Sequence, residues 1–195
     1  MPAQTRNSSG LEQFIQSLGG RTELYLLDLA GANQSNIDFL TSLGHRVYSD
    51  DIVRTIETAF GDGDFFANQN DPILTRQFFD QGLNFPEQQF DGALLWDTLQ
   101  FLAPPLLQLT VDRIFHILRP GAYLLAFFNA DEKVKSAPLS SYRITDKKTL
   151  TLSPRGQTRP VQFLNNRGIE RLFQNYQSVK FFLTRDHLRE VIVRR

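Results

Sequence analysis

Acidic side chains follow three of the apolar runs in this sequence, and their positions suit carboxylates that bind a ligand. Asp28 lies at the end of one run, Asp50 and Asp51 follow the next, and Asp97 comes after Trp96 at the end of a third. The carboxyl ends of neighbouring parallel strands lie at one edge of a sheet, and open α/β sheets bind ligands at that edge. A carboxylate there can accept hydrogen bonds from the hydroxyl groups of a ligand.

Each of these side chains also has a purely structural interpretation. Asp28 can pair near the end of the sheet, and Trp96 can belong to the core. Asp50 and Asp51 can supply the negative charge that the start of a helix favours. The sequence leaves both interpretations open for each residue.

A polar loop follows the strand that contains Asp28, and a helix with apolar residues at helical spacing follows the loop. The side chains of Asn33, Gln34 and Ser35 can cap that helix. Because a helix N-terminus attracts anions, the same turn can bind the carboxylate of a ligand.

Several kinds of site are excluded or disfavoured by composition. The chain has no Cys, which excludes disulfides, thiolate catalysis and thiolate metal ligands. The three histidines, His45, His116 and His187, show no metal-ligand spacing, so we predict no metal site. The N-terminal ten residues lack the apolar run of a signal peptide, and no stretch approaches the roughly 20 apolar residues of a membrane span. We therefore expect a cytoplasmic protein that contacts no membrane.

The elements that position the acidic residues alternate between strand and helix. Short apolar strands are predicted at residues 24–29, 45–49, 92–96 and 123–128, and helices at residues 37–43, 52–60 and 104–118. This alternation predicts right-handed crossovers and a parallel sheet. In the weakly patterned stretch 61–89 we expect a helix over residues 74–79 and a short strand near Phe65 and Phe66.

The C-terminal part has a different pattern. Residues 150–152 suggest a short extra strand, and Asn165 or Asn166 can cap a helix that runs to Tyr176. Residues 179–183 and 188–193 resemble two strands joined by four residues, a connection too short for a parallel crossover. We therefore predict an antiparallel C-terminal hairpin.

Four features in chain order resemble class I S-adenosylmethionine-dependent methyltransferases of the small-molecule type. The family has L-D-L-G-C-G-T-G, then G-H-x-V with an acidic residue, then L-P-F-x-x-x-x-F-D-x-V-x-x-x-D-x-L-x-x-L, and after a helix L-x-P-G-G. The corresponding segments here are residues 26–34, 44–51, 85–102 and 118–122. Spacing agrees without a gap from Leu27 to Asp51, which falls on the family's acidic position.

The resemblance implies a fold and a cofactor. The fold would be an α/β, doubly wound, mostly parallel seven-stranded sheet with an antiparallel C-terminal hairpin, the Rossmann-like methyltransferase fold, in one domain over residues 1–195. The cofactor would be S-adenosylmethionine, with Asp51 accepting hydrogen bonds from its ribose hydroxyls. The implied cofactor-binding residues are Asp28, Ala30, Gly31, Ala32, Asn33, Asp50, Asp51, Trp96 and Asp97.

The sequence departs from the family at the loop and after the fourth family strand. The three family glycines fall on Ala30, Ala32 and Gln34, and the one glycine of the loop, Gly31, is displaced by one position. A Cβ at those places could block the usual loop conformation or fill the pocket. The family's L-E-H ending becomes residues 99–101, Leu-Gln-Phe, which provide no His as a base.

Two functions follow from these observations. The first is S-adenosylmethionine-dependent methyl transfer to an unidentified small molecule, which can work by holding donor and acceptor in line without an obvious base. The second is a catalytically inactive, methyltransferase-like binding or assembly module. A nicotinamide-binding oxidoreductase is disfavoured because G-x-G-x-x-G is missing. No nucleic-acid module is recognisable, and a homo-oligomer is left open.

Charge is distributed unevenly along the chain. Residues 1–142 hold 9 Lys/Arg and 17 Asp/Glu, a net charge of −8, whereas residues 143–195 hold 12 and 4, a net charge of +8. The basic part could bind an anionic partner. Alternatively, the two parts could form complementary faces within the fold or between subunits.

Overall fold

The computed structural model describes residues 3–61, 63–184 and 188–195, and for Val53 and Gln157 it describes the backbone only. The strands are β1 Gln4–Asn7, β2 Tyr25–Asp28, β3 Arg46–Ser49, β4 Phe90–Trp96, β5 Leu118–Asn129, β6 Ser136–Ile144, β7 Thr149–Pro160, β8 Ser178–Leu183 and β9 Leu188–Arg194. The α-helices are α1 Ser9–Ser17, α2 Gln34–Ser42, α3 Ile52–Phe60, α4 Phe65–Asn68, α5 Pro72–Gln81, α6 Pro104–Ile117 and α7 Asn166–Leu172, and Thr98–Phe101 form a 3₁₀ helix.

The larger sheet has six strands in the order β3-β2-β4-β5-β9-β8. Strands β2, β3, β4 and β5 are parallel to their neighbours, and β9 runs antiparallel to both β5 and β8. The α/β class, the parallel crossovers and the antiparallel C-terminal hairpin are therefore confirmed.

The prediction of a seventh strand in this sheet is wrong. Phe65 and Phe66, where we expected a short strand, begin helix α4 instead. The reason is local, because the Asp64 side chain accepts a hydrogen bond from the Ala67 backbone N–H at 3.1 Å. An N-cap of this kind starts a helix and here outweighs the strand preference of two adjacent aromatic residues.

A separate antiparallel sheet has the order β1-β7-β6. Strands β6 and β7 form a long hairpin, of which the sequence suggested only residues 150–152. We call residues 136–160 the cover hairpin. It lies across the carboxyl ends of the parallel strands, where the functional residues were expected.

The core is divided by the six-stranded sheet into two layers because successive residues of a strand point to opposite faces. Leu26, Leu94 and Leu125 pack with α1, α2 and the cover hairpin. Leu27 and Leu124 pack with residues of α3, α5, α6 and α7. Helices on both faces make this a doubly wound arrangement.

In the described part of the chain, no helix is both long and apolar enough to span a bilayer.

Candidate functional site

The loop after β2 lies against the end of β3. Ala30 and Asp51 form an antiparallel bridge, and the Gly31 N–H donates to the Asp50 carbonyl at 3.2 Å. Gly31 has a φ of +85°, and a Cβ added there would come within 2.8 Å of an Asp51 carboxylate oxygen. The displaced glycine is therefore required both by its backbone conformation and by the close approach to Asp51.

Asp51 faces the loop, and an arginine from the cover hairpin binds it. Its Oδ1 accepts the Arg54 backbone N–H at 3.0 Å, which makes Asp51 the N-cap of α3. Arg155 donates to both carboxylate oxygens, at 3.1 and 2.6 Å, and also to the Ala30 carbonyl at 3.2 Å. Hydrogen bonding to Asp51 raises the pKa of the Arg155 guanidinium above its ordinary value.

Asp50 has a different environment. Its carboxylate accepts the backbone N–H of Leu83 at 2.9 Å, and burial raises its pKa. Of the two adjacent acids, only Asp51 lines the cavity beside the loop.

Asp28 is buried beneath the loop, and both of its carboxylate oxygens accept hydrogen bonds from protein groups. Its Oδ1 accepts the Trp96 indole N–H at 2.7 Å and the Ala30 backbone N–H at 3.1 Å. Its Oδ2 accepts the Asn36 amide at 2.8 Å. Burial raises the pKa of Asp28, while these hydrogen bonds act in the opposite direction. Asp28 therefore organises protein groups here.

Asn36 connects this network to the cover hairpin. Its side-chain amide also donates to the Tyr142 carbonyl at 2.9 Å, and its Oδ1 accepts the Ile144 N–H at 2.7 Å. Asn36 is 1% exposed. Helix α2 and strand β6 are thus joined through one buried side chain that satisfies three partners.

An aromatic pair fills the space between β4 and the cover hairpin. The rings of Trp96 and Tyr142 stack with centroids 5.0 Å apart and planes 6° apart, and both are buried. Phe127 packs edge-on against each of them. Trp96 has a φ of +52°, a backbone conformation that costs a residue with a side chain roughly 1–2 kcal/mol. The surrounding packing therefore holds the ring in a strained position.

Tyr142 lines two cavities at the sheet edge. The first, about 180 Å³, lies beside the loop and is lined by Ala30, Gly31, Ala32, Asn33, Asp51, Ser141, Tyr142 and Arg155; we call it the loop cavity. The second, about 300 Å³, is lined by Tyr142 together with Asp97, Gln100, Asn129 and other residues.

Asp97 is an acidic residue that lines the second cavity. It is 5% exposed, and burial raises its pKa to about 7, while hydrogen bonds from Tyr142 and Gln100 lower it in part. Gln100 donates to Asp97 at 3.3 Å and accepts the Asn129 N–H at 3.1 Å. The residue at the family's Glu position therefore links two strand ends.

The loop cavity is small for S-adenosylmethionine in this arrangement of the cover hairpin. The backbone groups that would receive the cofactor's amino acid moiety already have partners: Ala30 N–H donates to Asp28, Ala30 C=O accepts from Arg155, and Gly31 N–H donates to Asp50. A volume of about 180 Å³ lies below the roughly 300–1,000 Å³ of small-molecule sites. Tyr142 occupies the adjoining space.

The structure thus brings together only part of the expected set. Five members surround the loop cavity: Ala30, Gly31, Ala32, Asn33 and Asp51. The others lie beneath it (Asp28, Trp96), in the second cavity (Asp97) or away from it (Asp50).

Sequence reasoning missed Asn36, Ser141, Tyr142 and Arg155. The last three belong to the cover hairpin, and no local motif indicates that residues about a hundred positions away would enter this edge. Within the described ranges, no group of three or more His, Asp or Glu side chains could hold a metal ion.

Comparison with known proteins identifies the fold. No family model and no curated protein matches this chain. Similar solved structures include a Burkholderia thailandensis 1,6-didemethyltoxoflavin N1-methyltransferase with bound 1,6-didemethyltoxoflavin and S-adenosylhomocysteine (TM-score 0.55, 16% identity, 95% of this chain and 76% of that chain). A second is a SAM-dependent methyltransferase from Methanosarcina mazei (0.51, 18%, 90% and 93%).

A third is a SAM-dependent methyltransferase from Aquifex aeolicus (TM-score 0.52, 11% identity, 94% of this chain and 88% of that chain). At these identities the likeness establishes the class I methyltransferase fold, in agreement with the resemblance drawn from the sequence. It leaves activity to be argued from the site.

Proposed function

We propose that this chain is a methyltransferase-fold binding module that does not use S-adenosylmethionine. One observation carries the proposal: the Tyr142 ring is stacked on Trp96 at the sheet edge and lines both cavities there, so it occupies space that a cofactor would need.

Moving the Tyr142 ring away from Trp96 costs free energy. Burial of an aromatic side chain contributes about 1.5–3 kcal/mol, and stacking adds about 0.5–1.5 kcal/mol. Opening the cleft would therefore cost about 2–4 kcal/mol before the hydrogen bonds of Asn36 are counted. A cost of that size weakens the apparent affinity of a ligand roughly 30- to 1,000-fold.

The ion pair between Asp51 and Arg155 supports the same conclusion. Arg155 neutralises the carboxylate in a two-point contact that is about 70% buried from solvent (27% and 29% exposed side chains). A bidentate guanidinium is a strong partner for a carboxylate. Ribose hydroxyls would have to compete with a partner supplied by the protein itself.

A second candidate is S-adenosylmethionine-dependent methyl transfer to a small molecule, and two specific observations favour it. The fold is shared with the Burkholderia enzyme, whose structure contains S-adenosylhomocysteine and its substrate. Asp51 faces the loop, and Asp97 lies in a neighbouring cavity suited to a small acceptor. This function requires the cover hairpin to move and the Trp96–Tyr142 stack to separate.

Calorimetric titration of the full chain with S-adenosylmethionine and S-adenosylhomocysteine separates the two candidates. We expect no saturable heat with either compound up to about 1 mM, because the ring and the paired loop groups exclude them. Micromolar binding to the unmodified protein would refute the proposal and support methyl transfer.

Two variants test the role of the ring itself. Tyr142→Ala removes the ring and should allow S-adenosylhomocysteine to bind measurably. Tyr142→Phe keeps the stack and should show no binding heat. Circular dichroism melts show whether each variant is folded. Equal titration curves for the two variants would mean that the ring is not the obstacle.

A further inference from the structure

The opposite edge of the six-stranded sheet carries a polar groove that neither candidate function uses. It lies at the amino ends of β4 and β5 and encloses about 420 Å³. We call it the arginine groove, and its defining residues are Arg21, Asp91, Arg119, Tyr123 and Arg194.

Arg119 is held in a fixed position in this groove. It donates to the Asp91 carboxylate at 2.7 Å and to the Gln88 carbonyl at 3.0 Å, and its guanidinium lies 5.4 Å from the centre of the Tyr25 ring. Arg21 is exposed at the rim and donates to the Leu18 carbonyl at 3.1 Å.

Arg194 differs because its charge has no acidic partner among the residues that the structure describes. Its guanidinium lies 5.7 Å from the centre of the Tyr123 ring, and no carboxylate of the described residues is within 4.0 Å. Its Nε–H is shielded from solvent and lacks an acceptor in the described part of the chain. The charge of this guanidinium is not offset by a carboxylate of the described residues, so an anion bound in the groove would be attracted to its terminal N–H groups.

The main chain fixes where Arg194 lies. The Gln177 N–H donates to the Arg194 carbonyl at 2.7 Å, and Arg194 pairs with Tyr123 in the antiparallel ladder. The next residue, Arg195, is held by Gly121, whose N–H donates to its carbonyl at 2.7 Å. The position of Arg194 is therefore set by the strand ladder.

The charge of the groove identifies the ligand class. Three guanidinium groups, of Arg21, Arg119 and Arg194, face a single carboxylate, that of Asp91, which leaves a net charge of +2. A neighbouring cavity of about 610 Å³ shares Gly121 and Arg194 and adds Arg195. Planar guanidinium groups match phosphate oxygens in geometry, and a volume of several hundred Å³ suits a small molecule.

We propose that the arginine groove binds a small phosphorylated molecule, with Arg194 and Arg21 contacting a phosphate group. The phosphate could be inorganic or part of a phosphate ester, since the chemistry of recognition is the same. This inference is independent of the proposed function, because the groove lies at the other edge of the sheet and is tested with different ligands.

The test is calorimetric titration of the full chain with inorganic phosphate, inorganic pyrophosphate and ribose 5-phosphate at low salt. We expect saturable binding with one site per chain, weakened by added salt as an interaction between charged groups should be. Tighter binding of ribose 5-phosphate than of inorganic phosphate would identify an ester as the source.

Matched variants locate the site. Arg194→Gln should weaken binding about tenfold or more, because a charge-assisted hydrogen bond is lost. Arg76→Gln removes the same charge from an 85% exposed side chain on α5 and should leave binding unchanged. No saturable binding of any of the three ligands, or equal losses in the two variants, would overturn the proposal.

Discussion

Two buried carboxylates flank Trp96, and they differ in what they control. Asp28 accepts from the Trp96 indole, the Asn36 amide and the Ala30 backbone, so it fixes protein groups in place. Asp97 is also buried but has a pKa of about 7, which burial raises from an ordinary 3.8. Asp97 therefore changes charge near neutral pH, next to the ring that fills the sheet edge.

Asp97 should make stability depend on pH. The folded protein keeps Asp97 protonated up to about pH 7, whereas the unfolded chain loses that proton near pH 4. The free energy of unfolding should therefore fall as pH rises from 4 to 7, by up to about 4 kcal/mol. In Asp97→Asn this contribution is absent, so the variant should gain stability relative to the unmodified protein over that range.

Urea unfolding at pH 4, 6 and 8 measures the difference. Asp80→Asn, at a 71% exposed side chain, is the control and should follow the unmodified protein at every pH. Parallel pH profiles for Asp97→Asn and the unmodified protein would contradict a raised pKa.

At the scale of elements, the cover hairpin determines what the sheet edge can do. It supplies Tyr142 to the aromatic stack and Arg155 to Asp51, and Asn36 of α2 holds its first strand through two hydrogen bonds. The hairpin is therefore a bonded part of the site, and its displacement would break specific contacts.

Asn36→Ala should loosen the hairpin. It removes hydrogen bonds to Tyr142, Ile144 and Asp28 and leaves buried polar groups without those partners, at a cost of about 2–4 kcal/mol in the free energy of unfolding. Amide hydrogen exchange should speed up most in β6.

Gln34→Ala is the matched control for that experiment, because Gln34 is exposed on the same helix and donates a surface hydrogen bond to Asp38. Its loss should change stability by less than about 0.5 kcal/mol. Unchanged exchange in β6 of Asn36→Ala would show that Asn36 does not hold the hairpin.

At the scale of the whole molecule, charges that are separated along the sequence meet in the fold. Arg155 pairs with Asp51, and Arg159 with Glu57, so the basic C-terminal part neutralises acids of the N-terminal part. This is the complementary-face interpretation of the uneven charge distribution. The arginine groove retains a positive excess for a ligand.

Glu190 of β9 connects the two sheets. It is fully buried and accepts from the Arg6 guanidinium at 2.7 Å, the Ser8 hydroxyl at 3.0 Å and the Gly10 N–H at 2.6 Å. The N-terminal strand and the start of α1 are thereby attached to the six-stranded sheet. A Cβ on Gly10 would come within 2.8 Å of Leu125, so the approach must be close.

Glu190→Gln should destabilise the protein by about 3–5 kcal/mol, because it breaks the buried ion pair with Arg6. Urea unfolding measures the change, and Glu12→Gln, at an exposed position on α1, is the control. A loss below about 1 kcal/mol would mean that the pair contributes little to holding the sheets together.

The sequence by itself determined the succession of elements in the larger sheet. Helix α3 occupies residues 52–60 as predicted, and the four-residue connection before β9 required an antiparallel hairpin. These features depend on local apolar periodicity, capping and connection length, which a single sequence records. The position of Asp51 beside the loop also followed, since it ends a strand next to β2.

Only the tertiary structure decided whether the sheet edge is open. Tyr142 and Arg155 reach it from the cover hairpin, and Arg155 lies 104 positions from Asp51 in the chain. Their effect depends on how the hairpin docks over α2, through contacts that carry no periodic signal in the sequence. Altered glycines indicated a changed loop, but the ring that fills the cleft is a consequence of long-range packing.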